Sequence, residues 1–306
     1  MINEIYVKSV LNKTKRRDTW FLDDYTINPY SACSFNCLYC YIRGSKYGAN
    51  MEEKLSVKVN AVEILERQLH NRAKKNQHGI IVLSSATDPY LPIEKKYQLT
   101  RQILERIHHY KFPVHILTKS DLVVRDFDLL EKINRDAILP HDLQPLLSHK
   151  VFVTFSFSTI DNTVGKIFEP GAPLPGRRIE ALKETLAAGF HSGVSLMPLL
   201  PYITDTEEHL NAMFAAFSNL QVRYLFPASI TLFGNKPSDS MTLMFQAIHK
   251  YYPALEEKYI KLFAYGHQPP SWYRNEFYRR VAPLREKYHL KDSIGSAISQ
   301  NPTHPS

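Results

Sequence analysis

Cysteine is scarce in this chain: three among 306 residues, with no fourth anywhere. A secreted scaffold stapled by disulfides needs a spaced, even set, so that class is excluded. No apolar run approaches the roughly 20 residues that span a bilayer. The N-terminus likewise lacks an apolar signal core before its charges at Lys13 to Arg17. A chain of this kind is expected in the cytoplasm, away from membranes, where thiols stay reduced. The stretch from Gly171 to Gly176 is rich in Gly and Pro but has neither Walker nor dinucleotide spacing, which excludes a phosphate loop. Histidines number 13, yet none falls in a metal-like or triad-like arrangement. Acidic residues are outnumbered, 30 Asp and Glu against 38 Lys and Arg, for a net charge of +8. Basic clusters lie at Lys13-Thr14-Lys15-Arg16-Arg17, Arg72-Ala73-Lys74-Lys75 and Arg279-Arg280. They suit a polyanionic partner such as nucleic acid through counterion release, or simply the solvated surface of a basic protein.

What is present is concentrated. Cys33, Cys37 and Cys40 follow a C-x3-C-x2-C spacing just after Tyr25-Thr26-Ile27-Asn28-Pro29-Tyr30. Three thiolates hold three irons of a [4Fe–4S] cube, whose full ligation by protein takes four, so one iron is left for an outside ligand. Structural zinc normally takes four N or S ligands, and the nearest downstream histidine is His70. Catalytic zinc takes three protein ligands, but three thiolates make it an electron-rich, poor Lewis acid. Inert buried cysteines occur singly, not as a tight triplet. The cluster is the reading that uses all three.

The triplet, with an aromatic before its last cysteine, resembles the cluster motif of radical S-adenosyl-L-methionine (SAM) enzymes. The string from Asn28-Pro29-Tyr30 through Cys40-Tyr41 resembles the spore photoproduct lyase-like, or DNA repair photolyase-like, branch. So do Ser84-Ser85-Ala86-Thr87-Asp88-Pro89-Tyr90-Leu91-Pro92-Ile93-Glu94, Leu117-Thr118-Lys119-Ser120, Phe155-Ser156-Phe157-Ser158 and Phe168-Glu169-Pro170-Gly171-Ala172-Pro173. The likeness covers about Thr26 to Thr204 and then fades. It implies that the open iron chelates the methionine moiety of SAM, and that one electron cleaves the sulfonium to a 5′-deoxyadenosyl radical. It also implies an electron donor such as flavodoxin or ferredoxin.

By the same resemblance, Cys33, Cys37 and Cys40 are the metal ligands, and Tyr39 lies by the adenine of SAM. Ser84 and Ser85 are placed near its methionyl amine, and Lys119 and Ser156 match positions that contact SAM. Tyr41 matches a tyrosine that takes part in radical return. Each has a plainer alternative. Tyr39 would shield the cluster, Tyr41 would merely pack, Lys119 would be a surface lysine, and Ser156 would bond to backbone. Asp88 would either help hold SAM or cap the turn that Asp-Pro favours. Glu169 and Arg178 are expected to order the Pro-Gly loop as an exposed pair, worth under about 1 kcal/mol. One departure matters. That branch uses a further cysteine as hydrogen-atom donor, and the matching stretch here, Leu83 to Asp88, has none.

Periodicity gives the architecture. Apolar stripes predict helices over Val59 to Arg72, Leu99 to Tyr110, Phe127 to Ile133, Arg178 to Ala188, Asp205 to Phe217 and Met241 to Tyr251. Strands are predicted at Tyr25 to Asn28, Gly79 to Ser84, Val114 to Thr118, Val151 to Ser158, Val194 to Leu199 and Val222 to Leu232. Such alternation indicates parallel strands with crossover helices. About six repeats give an α/β fold of the partial (β/α)6 TIM-type barrel kind, which the resemblance also implies, with its site at the strand C-termini. The expected division is an N-terminal segment 1–24, a barrel 25–252, and a helical C-terminal extension with polar tail 253–306. Ala137 to Lys150 is expected as a surface loop. The function expected is cleavage of SAM at the cluster to act on an unidentified substrate. Repair of a nucleic-acid lesion, or a non-catalytic iron–sulfur redox sensor, is the alternative.

Overall fold

The computed structural model describes residues 2–45 and 55–295; the tail expected at Asn301 to Ser306 lies outside them. Ten strands are present: β1 (Asn3–Ile5), β2 (Asn12–Lys13), β3 (Tyr25–Ile27), β4 (Tyr30–Ser31), β5 (Ser56–Lys58), β6 (Ile81–Leu83), β7 (Val114–Thr118), β8 (Val151–Ser156), β9 (His191–Leu199) and β10 (Leu225–Ser229). Seven of them form one sheet in the order β10-β9-β8-β7-β6-β3-β2. Every pairing from β3 to β10 is parallel, and only β2 joins antiparallel at the edge. The fold is therefore mixed α/β on a parallel sheet. Strands β6 to β8 are buried almost without interruption, as expected where both faces of a parallel sheet are covered.

The helices are α1 (Ala61–Ala73), α2 (Glu94–Tyr97), α3 (Leu99–His109), α4 (Phe127–Asp136), α5 (Asn162–Phe168), α6 (Pro175–Ala187), α7 (Glu207–Asn219), α8 (Ser240–Tyr251), α9 (Glu256–Phe263) and α10 (Ser271–Lys287). Their ends follow local chemistry. Asp161 accepts from the Thr163 and Val164 amides at the start of α5, and Thr206 from His209 at the start of α7. Helix α6 begins three residues before the predicted Arg178 because Pro175, with its φ already set, occupies the first turn. It ends at Gly189, whose φ of 82° is left-handed as predicted.

Two expectations are corrected. Residues 137–150 do run through turns, but Leu139, Leu143 and Leu147 are buried and join Phe152, Phe226 and Ile294 in a second apolar cluster. Apolar residues four apart gave those turns a buried side. Short α5 went unpredicted because a single Asp161 cap, rather than a long stripe, defines it. In β9, Gly193 is dictated by packing: a Cβ there would stand 2.3 Å from the Tyr224 ring.

Beyond α8, described residues 253–287 are largely helical. Tyr259 donates to the Pro201 carbonyl (2.9 Å) and Tyr273 to Asp205 (2.7 Å), fastening α9 and α10 to the segment after β9. A second sheet, β1-β5-β4, pairs Tyr30 with Val57 and so holds the chain immediately before the cysteines.

Candidate functional site

Parallel strands in register bring their C-terminal ends level. Ser156 pairs with Ser195, and Leu117 with Thr154. There a cavity of about 550 Å³ is lined by the three cysteines, Tyr39, Tyr41, Ser84, Ser85, Lys119 and Ser156. All nine site residues expected from the sequence thus share one wall system. That is the property of parallel α/β sheets that collects chemistry from distant parts of the chain.

The cysteine loop is held from several sides. Ala32 and Asn36 take left-handed φ of 63° and 51°, turning the chain sharply at Cys33 and Cys37. Asn tolerates this, whereas for Ala it costs on the order of 1 kcal/mol or more. Tyr30 donates to Glu94, whose carboxylate also takes the Thr100 amide (3.0 Å) and Arg125 (2.8 Å). On the other side the Leu38 amide donates to Phe168 O and the Gly171 amide to Phe35 O, each at 2.9 Å. A Cβ on Gly171 would meet Ser34 O at 2.3 Å, so only glycine lets these backbones approach.

Beneath the loop lies a buried ionic network. Tyr39 donates to Glu169, which also accepts from Ser158 (3.0 Å) and pairs with Arg178. Arg178 further donates to the carbonyls of Pro173 and Ser156, both at 2.8 Å. The expected exposed pair is in fact sealed: Glu169 is 2% and Arg178 0% exposed. Helices α5 and α6 fold both residues under the sheet end, which local sequence does not reveal. Burial alone would push the Glu169 carboxyl up. The charges of Arg178 and Lys119, with their hydrogen bonds, outweigh it and hold the group below its usual range. Burial and that carboxylate push the Tyr39 phenol well above its ordinary value.

Lys119 donates to Ser156 Oγ at 2.7 Å and stands 5.9 Å from the Tyr39 ring centre, so it is no loose surface lysine. Asp88 is buried, and both its oxygens are used internally, by Thr118 (2.8 Å) and the amides of Tyr90 (2.9 Å) and Lys119 (2.7 Å). Capping is the role its hydrogen bonds show. Ser84 is buried with a left-handed φ of 68°, beside exposed Ser85. Tyr41 is 47% exposed and donates to the Ser85 carbonyl at 2.6 Å. Burial, then the neighbouring Cys37 and Asp88, raise the Cys33 thiol well above normal. Burial pushes Cys37 up to about 12 against the pull of Lys119.

The Radical SAM superfamily profile matches residues 27–213, more than half of the chain. The protein belongs to the radical SAM superfamily. It is 28% identical over 295 residues to an uncharacterised protein of Mycobacterium tuberculosis, covering 94% of this chain and 81% of that one. It is 30% identical over 256 residues to an uncharacterised protein of Methanocaldococcus jannaschii, covering 77% and 87% respectively. In fold it is similar to spore photoproduct lyase complexed with dinucleoside spore photoproduct, at a TM-score of 0.64 and 16% identity over 94% of this chain and 79% of that one.

This superfamily implies SAM and a [4Fe–4S] cluster, and the residues present fit both. A cube asks only one thiolate per iron, and three free thiols line one cavity. Bound to the cluster these thiols would be thiolates, their protons displaced by the metal and released to solvent. The cavity volume lies within the range of small-molecule sites. Sequence reasoning passed over Ser195, Met197, Ser229, Thr231 and Phe233, which complete the wall. Alternation along β9 from Gly193 marks Ser195 and Met197, and the Ser156–Ser195 register confirms the face. The later three lie past the end of the resemblance.

Proposed function

We propose that this chain is a radical SAM enzyme in which Cys33, Cys37 and Cys40 ligate a [4Fe–4S] cluster. Bound in the cavity, cluster and SAM would supply one-electron cleavage of the sulfonium and a 5′-deoxyadenosyl radical for an unidentified substrate. The observation that carries this is the meeting of three unpaired thiols, Lys119 and Ser156 in one cavity at the strand C-termini. Tyr39, Ser84, Ser85, Lys119 and Ser156 are assigned to SAM. Lys119, a compact cation, suits its carboxylate, and Glu169 fixes Tyr39 by accepting the hydrogen bond of its hydroxyl. Tyr41, at the mouth, is the residue assigned to radical return. In this reading the six parallel strands form a partial (β/α)6 barrel over 25–252, preceded by segment 1–24 and closed by the helical extension 253–306. The protein works in the reducing cytoplasm with a flavodoxin- or ferredoxin-type donor. No described helix is long and apolar enough to cross a membrane.

Anaerobic reconstitution tests the reading. The protein should take up about four irons and four sulfides and, when reduced, release 5′-deoxyadenosine and methionine from SAM. Replacing all three cysteines by Ala should abolish both. A full cluster in that variant would refute the assignment, and a full cluster without SAM turnover would favour a redox sensor. Lesion repair on nucleic acid is a second reading, favoured by the structural likeness to a lyase bound to a dinucleoside lesion and by the net charge of +8. Salt-dependent binding of DNA or RNA separates it from a small-molecule substrate.

A further inference from the structure

At the opposite end of the sheet, where β8 and β9 begin, a second cavity of about 350 Å³ opens. Its polar wall is Ser148, His149, His191, Arg223 and Lys291, and among the described residues no Asp or Glu lines it. The nearby carboxylate Asp292 is engaged by Arg285 at 2.6 Å. Among the described residues, neither Arg223 nor Lys291 has a carboxylate within ion-pair distance. This wall is fixed by main-chain bonds. The Leu225 amide donates to the Lys291 carbonyl (2.8 Å), the Arg223 amide to Ser192 O (2.9 Å), and His191 Nε2 bonds to Ile294 O (3.0 Å). The C-terminal segment is thereby strapped across the strand starts with its lysine at the cavity.

The two imidazoles lie 5.0 Å apart between ring centres. Burial lowers both, assisted at His149 by Arg223. At His191, His149, Arg223 and Lys291 add to burial and bring the value to about 4. His191 also packs against the Phe152 and Tyr224 rings, and buried His115, lowered to about 4 by burial, lies near enough to feel its charge. Two exposed cations, Arg223 and Lys291, and two half-buried neutral imidazoles thus face one space with no carboxylate in its described wall. Such a space attracts an anion that can bridge the two cations.

We propose that this cavity binds the phosphate dianion of a small phosphate monoester. A single carboxylate would leave half of the charge of Arg223 and Lys291 uncompensated, whereas a dianion matches both and lets an imidazole take up a proton. Leu147, Phe152 and Ile294 supply an apolar wall for the organic part of the ester, and the volume is that of a small-ligand site. The site shares no residue with the cysteine cavity and stands whether or not the radical SAM assignment above does.

Isothermal titration of the full chain with inorganic phosphate, a nucleoside 5′-monophosphate and its parent nucleoside tests this. The expected result is one saturable site for both phosphates, tighter for the ester, none for the nucleoside, and heats that change with buffer ionisation as protons are taken up. Arg223→Gln/Lys291→Gln should weaken binding by about tenfold or more with unchanged iron uptake. His149→Gln should retain binding but reduce proton uptake. The proposal is overturned if no phosphate saturates, if the nucleoside binds as tightly as its monophosphate, or if the double variant binds like the parent. Unchanged proton uptake in His149→Gln would overturn the role of His149 as the group that takes up the proton.

Discussion

Replacing Glu169 by Gln keeps its shape and removes one charge from the most buried ion pair in the described structure. Arg178, 0% exposed, keeps its bonds to the Pro173 and Ser156 carbonyls but loses its counter-ion. The Tyr39 hydroxyl exchanges an anionic hydrogen-bond acceptor for a neutral amide oxygen. An uncompensated buried charge typically costs about 3–5 kcal/mol, a large share of the roughly 5–15 kcal/mol that holds a domain together. Urea unfolding should therefore show the unfolding free energy falling by that amount, through a lower midpoint at an unchanged slope. The pH dependence is a second signature. The Glu169 carboxyl titrates below its usual value when folded, so its contribution is complete at neutral pH and is lost as pH falls through the depressed value. The Gln variant should lack that acid-side loss. Adding Arg178→Met should cost much less than the two single changes summed, because the stranded charge is gone. A loss under about 1 kcal/mol for Glu169→Gln, the worth of an exposed pair, would refute the account of a sealed network.

Three further outcomes are expected. Gly171→Ala forces a methyl to 2.3 Å from Ser34 O, so iron uptake on reconstitution should fall while the circular dichroism spectrum is kept; normal uptake would mean that the α5–α6 connection does not position the cysteines. Lys119→Ala and Ser156→Ala break their 2.7 Å bond and should weaken SAM binding, measured by equilibrium dialysis, more than they lower cluster content; equal SAM affinity would remove both from that role. With no cysteine beyond the three in the loop, DNA carrying the spore photoproduct should yield little or no clean thymine when incubated with reduced enzyme and SAM, since no thiol is left over from cluster ligation to return the hydrogen atom. Stoichiometric repair in that assay would establish a lesion lyase with another hydrogen source.

The sequence by itself determined the cysteine spacing, hence the ligand chemistry, because three thiols in one short loop meet through local geometry alone. It determined the strand–helix alternation for the same kind of reason: hydrophobic period and caps such as Asp161, Pro175 and Gly189 act within a few residues. Strand ends could be named from pattern, so Ser84, Lys119 and Ser156 were legible as candidates. Tertiary structure alone decided what those candidates face. The burial of Glu169 and Arg178 depends on α5 and α6 folding over Tyr39, contacts spanning up to 130 residues. The need for glycine at 171 comes from the backbone of residues 34 and 35, which no local propensity encodes. Only the fold joined Leu139, Leu143 and Leu147 to a buried cluster, and gathered His149, His191, Arg223 and Lys291 around one cavity. Electrostatics and packing act through space, and the chain order of those residues carries no trace of it.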